Sequence, residues 1–76
     1  MTIGYEVVFD NGTSTTGTTV DGLIGAVRFR REAIYQVWHH TREQKSFRMQ
    51  HKLLCQQPIS FMELERLLRV YGASYM

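Results

Sequence analysis

The chain opens on a strict alternation. Ile3, Tyr5, Val7 and Phe9 fall on one side of an extended backbone, and Gly4, Glu6 and Val8 on the other. That is the period of a half-buried strand rich in β-formers. Asp10-Asn11-Gly12 follows, a hairpin signal because tight turns need residues that tolerate positive φ. Residues 13–20, TSTTGTTV, are rich in β-branched threonine and almost free of helix formers. They predict a polar return strand at a sheet edge, with Gly17 a candidate bulge. Asp21-Gly22 then reads as a second turn.

Residues 23–52 admit two readings. As a helix they place Ala26, Phe29, Ala33, Val37 and His40 on one stripe, which degrades into Gln44, Phe47 and His51. As strands, Val27 and Phe29 alternate with Arg28 and Arg30, and the run from Ala33 to His39 is dense in β-formers. Beyond a polar break at 41–44, Phe47, Met49, His51 and Leu53 alternate with Ser46, Arg48, Gln50 and Lys52. A helix would scatter such an alternation around its circumference. Strands near 24–31, 33–40 and 45–54 are therefore expected, with a long basic helix as the competing reading.

Pro58 closes this region, and Ser60 stands three residues before Glu63, the spacing of a capping box. Phe61, Leu64, Leu67, Leu68 and Tyr71 share one helical face opposite Glu65, Arg66 and Arg69. The pattern predicts a helix over 61–71, stopped by Gly72. The expected architecture is mainly β: a small, strongly bent five-stranded antiparallel sheet, or an SH3/Sm-like barrel, capped by the C-terminal helix.

The length of 76 residues allows one domain. A core this small is marginal and leaves room for pairing into a homodimer. No apolar run reaches the roughly 18–20 residues that span a bilayer, and no secretory signal pattern opens the chain. Cys55 is alone, which excludes an internal disulfide and fits a reducing, cytoplasmic setting.

Charge changes the picture more. Residues 1–27 hold Glu6, Asp10 and Asp21 and no basic side chain. Residues 28–52 hold Arg28, Arg30, Arg31, Arg42, Lys45, Arg48 and Lys52 against Glu32 and Glu43. A basic middle third is either the footprint of a polyanion partner or a solvated face. With Val27, Phe29, Phe47 and Met49 turned inward, Arg28, Arg30, Arg48 and Lys52 turn outward. Trp38 emerges among them if Tyr35 and Val37 are buried. A tryptophan among arginines is a stacking platform for single-stranded bases; the alternative is a Trp38 buried in the core.

Other chemistry is not expected. His39, His40, His51 and Cys55 contain enough donors for zinc, but adjacent strand residues face opposite ways and no finger-type ligand pair is present. No nucleophile, base and orienting group can be placed together, and the glycines match no phosphate-binding loop. The chain is expected to be non-enzymatic, with no metal and no cofactor. Met62, Tyr71 and Tyr75 add apolar surface along the last helix and the tail through Met76, either docked on the domain itself or offered to a protein.

Read as strands, the span from Ile3 to Leu54 resembles a WYL-type domain. The similarity lies in Ile3-x-Tyr5 before a turn and in Ile34-Tyr35-Gln36-Val37 at the place of the family's Trp-Tyr-Leu run. It continues in Lys45-x-Phe47-Arg48-Met49 at the place of its basic-x-Phe-Arg-Leu segment. Ile34, Gln36, Gln50 and His51 depart from the family's pattern. The resemblance implies an Sm-like barrel that senses a nucleic acid or nucleotide through basic residues. Two functions are expected: a nucleic-acid-binding or ligand-sensing regulatory module, or a small phage-type or mobile-element protein that inhibits or adapts a nucleic-acid-binding partner protein.

Overall fold

The computed structural model describes residues 1–75. Strand β1 (Thr2–Phe9) and strand β2 (Ser14–Gly17) form a hairpin, and helix α1 (Val20–Val27) follows. Strands β3 (Ile34–Arg42) and β4 (Met49–Cys55) form a second hairpin, and helix α2 (Phe61–Tyr75) ends the chain. The sheet order is β2-β1-β3-β4 with every neighbouring pair antiparallel. The chain is thus mainly β with a C-terminal helix, but it has four strands and not five, and the sheet does not close into a barrel.

Strand β1 is as its alternation demands: Tyr5, Val7 and Phe9 are buried. The turn after it needs positive φ only at Gly12, where φ is +86°, and the Phe9 amide donates to the Thr13 carbonyl at 2.8 Å. Residues 24–31 are not a strand. Leu23, Ile24 and Val27 are buried from one face of α1. Thr19 caps that helix, its hydroxyl accepting from the Gly22 amide at 3.0 Å, so Asp21-Gly22 belongs to the first helical turn rather than a reverse turn. The alternation of Val27 and Phe29 misleads because Phe29 lies beyond the helix and is 85% exposed.

The strand expected over 45–54 starts only at Met49. Residues 43–48 form a turn in which the Glu43 amide donates to the Arg48 carbonyl and Phe47 takes a φ of +55°. Phe47 and Met49 are accordingly exposed instead of inward. The period of two in β4 is real; the assumption that its apolar side meets the core is what fails.

Helix α2 begins with the expected capping box. The Glu63 amide donates to the Ser60 hydroxyl at 3.1 Å, and the Ser60 amide donates to the Glu63 carboxylate at 3.3 Å. Gly72 does not stop the helix, which continues to Tyr75. The last turn is held by Tyr71 and Tyr75, both in edge contact with the buried His39 ring. Leu64 and Leu68 complete a core made of Tyr5, Val7, Phe9, Leu23, Ile24, Val27, Ile34 and Val37. Both helices thus lie on the side of the sheet that carries Tyr5, Val7, Phe9 and Val37.

Gly17 is required by a close approach rather than by a bulge. A Cβ there would lie 2.7 Å from the Leu23 backbone nitrogen and 2.9 Å from its Cα. Gly17→Ala is expected to destabilise the fold by about 1–3 kcal/mol, the cost of forcing rigid backbones apart, with a matching fall in thermal midpoint.

Candidate nucleic-acid interface

Pairing register assigns each strand residue to a face. Val37 and His39 stand beside Val7 and Tyr5 and point at the helices. Glu6 and Val8 of β1 pair with Trp38 and Gln36 of β3, and Trp38 and His40 pair with Leu53 and His51 of β4. These residues form the face that no helix covers. Trp38 is half-buried there, not in the core. Its indole N–H donates to Gln36 Oε1 at 3.3 Å, and its ring lies within 9° of parallel to the His40 imidazole.

A polar chain continues from that ring. His40 Nε2 is 2.8 Å from Glu6 Oε1, and His40 Nδ1 is 2.7 Å from His51 Nδ1. Further along the hairpin, Arg42 pairs with Met49, and the turn beyond carries Lys45 and Arg48. From Trp38 to Arg42 is about 13 Å at the usual strand rise. Aromatic surface and positive charge thus lie along one hairpin, the aromatic end near the sheet centre and the basic end at its tip.

The residues singled out in the sequence do not form one patch. Trp38 and Arg48 share the β3–β4 hairpin. Lys52 pairs with His39 and lies on the opposite face, its Nζ 5.3 Å from the centre of the Tyr71 ring. Arg28 ends α1 and places its guanidinium 5.9 Å from the Phe61 ring. Arg30 is engaged within the fold. Its Nε donates to both Glu32 carboxylate oxygens, at 2.9 and 3.1 Å, and its terminal nitrogens donate to Thr15 Oγ1 and Thr13 Oγ1. Its guanidinium also sits 4.1 Å from the Phe9 ring centre. That hydrogen bond from Arg30 is the chief reason the Glu32 carboxyl is held below its ordinary range.

Arg42, Lys45, His40 and His51 belong to the uncovered hairpin, though the sequence pattern does not single them out as nucleic-acid contacts. The signal was present in Trp38-x-His40-x-Arg42, an i, i+2, i+4 series on one face of a strand. Of the side chains expected at a protein interface, Met62 is 79% exposed and Tyr75 is partly exposed. The Tyr71 hydroxyl is 2.7 Å from His39 Nδ1.

His39 is 1% exposed, with its two ring nitrogens partnered by Tyr71 and, at 3.1 Å, by Thr2 Oγ1. Its ring stacks on Tyr5 at 4.5 Å. Burial pushes its pKa down, and the charges of His40, Lys52 and the N-terminus push the same way. Burial likewise raises the Tyr5 and Tyr71 hydroxyls. His39 and His40 face opposite sides of the sheet, as adjacent strand residues must.

Comparison with protein families, with curated proteins and with solved structures finds no match to this chain.

Two outcomes follow from these contacts. Arg30→Ala is expected to lower the thermal midpoint by several degrees, because it strips the β1–β2 hairpin of its tie to the α1–β3 loop; a melting curve checks this. Stability should also fall on acidification. The unfolded chain binds a proton at His39 near pH 6.5, before the folded chain does, so the contribution of neutral His39 is whole above that pH and is lost as pH drops toward the lower folded value. The fall in urea midpoint below pH 6.5 should be smaller in His39→Gln, which keeps a donor and an acceptor but cannot titrate.

Proposed function

We propose that this chain is a non-enzymatic module that binds single-stranded nucleic acid on its uncovered sheet face. The observation that carries this reading is the placement of Trp38, on the face free of helices and on the hairpin whose tip is basic. A base stacks on Trp38, with His40 extending the platform, and Arg42, Lys45 and Arg48 neutralise the phosphates that follow. Binding then runs on stacking and counterion release and needs no bond-making step. Arg28 and Lys52, being elsewhere, contribute to the general field rather than to this groove. A regulatory role of the WYL type, in a cytoplasmic setting, belongs with the same face and the same ligand chemistry.

A second reading rests on α2. Met62 and Val70, two helical turns apart, are 79% and 61% exposed, with Arg66 between them on the same face. That stripe suits a protein partner, and the inhibitor or adaptor role belongs to it.

Trp38 fluorescence titrated with a short single-stranded oligonucleotide separates the two. With three phosphates neutralised, affinity should fall about twentyfold between 50 and 200 mM salt. Trp38→Ala, followed by anisotropy of a labelled strand, should lose about 1–3 kcal/mol of binding. Arg48→Glu should weaken binding and reduce the salt slope by about one charge. Binding unchanged in both variants, or no binding at low salt, overturns the nucleic-acid reading.

A further inference from the structure

The pair His40–His51 is better arranged than a stacking platform needs. The two residues are directly opposed across β3 and β4, with their Nδ1 atoms 2.7 Å apart and their rings 73° from coplanar. A carboxylate only accepts, so the contact of His40 Nε2 with Glu6 Oε1 at 2.8 Å requires His40 to carry its proton on Nε2. In neutral His40 the lone pair is therefore on Nδ1, 2.7 Å from His51 Nδ1, which donates a hydrogen bond to it in one of its tautomers.

We propose that His40 Nδ1 and His51 Nδ1 form a two-imidazole site for a first-row transition-metal dication of the Ni²⁺ or Cu²⁺ type. Three features support it. The ligand pair is held by the strand register rather than by a mobile loop. A carboxylate backs the ligating imidazole through its other nitrogen, the arrangement that orients metal-binding histidines and raises their basicity. The spacing also selects among metals. Two nitrogens at about 2.05 Å from a metal and at a right angle to each other lie about 2.9 Å apart, while tetrahedral ligation needs about 3.3 Å. The observed 2.7 Å is nearer the first value, and ligation replaces the N–H···N hydrogen bond by turning both rings until their lone pairs meet on the ion. His51 is exposed and free to move its proton to Nε2, which leaves Nδ1 to the ion.

Among the described residues no set of three or more His, Cys, Asp or Glu side chains converges on one point. The ion thus keeps positions for water or for a donor atom of a bound ligand, on the face that also holds Trp38. The site does not depend on nucleic acid, so its test is made without any.

The test is a titration of the full chain with Ni²⁺, read as quenching of Trp38, whose ring lies 6.3 Å from that of His40. Saturable quenching at one equivalent is expected, with Mg²⁺ producing none. His51→Ala, an exposed position at the sheet edge, should weaken Ni²⁺ binding at least tenfold while the circular dichroism spectrum is unchanged. Glu6→Ala should weaken it about tenfold with both ligands intact. Quenching that does not saturate, or that survives His51→Ala at the wild-type Ni²⁺ concentration, overturns the site.

Discussion

Two short helices can cover one face of a four-stranded sheet and no more, and this limit governs the rest of the molecule. The centre of the sheet is the β1–β3 pair, whose Tyr5, Val7, Phe9 and Val37 face the helices. Leu23, Ile24 and Val27 of α1 and Leu64 and Leu68 of α2 complete the dry side. Apolar burial of this kind is the main driving force available to a small chain. Once it is spent on one face, the other must be carried by polar pairing and by the cross-strand contacts of the sheet itself.

The adjacent histidines show how completely the two faces differ. His39 lies among Tyr5, Tyr71 and Tyr75, has its pKa pushed down by burial, and ties the end of α2 to the sheet. His40, one residue on, points the other way into a polar chain with Glu6 and His51. The alternation of a strand is enough to send one to the packing side and the other to the uncovered side. No buried side-chain nitrogen or oxygen among the described residues lacks a hydrogen-bond partner, so the polar groups that the fold encloses do not strain it.

The basic residues divide in the same way. Arg30 joins β2, the α1–β3 loop and Phe9, and so acts on folding. Lys52 rests over Tyr71 on the helix side. Arg42, Lys45 and Arg48 are left at the tip of the β3–β4 hairpin, next to the uncovered face. Net charge and its clustering in the sequence therefore overstate the positive charge left on the uncovered face, because part of that charge is consumed by internal contacts.

Local patterns determined a good deal: the alternation of β1, the Asn-Gly turn, the β3 strand around Trp38, and the capping box and apolar face of α2. Each rests on interactions between residues near one another in the chain, which spacing alone reports. The rest was decided by tertiary structure. Residues 20–27 form a helix in spite of two glycines because Leu23, Ile24 and Val27 find a buried site on β1 and α2. Gly72 continues a helix because Tyr71 and Tyr75 find the His39 ring. Which side of β4 is wet, and which arginines are free, depends on what covers each face. That is a property of distant segments meeting, and no periodicity within one segment contains it.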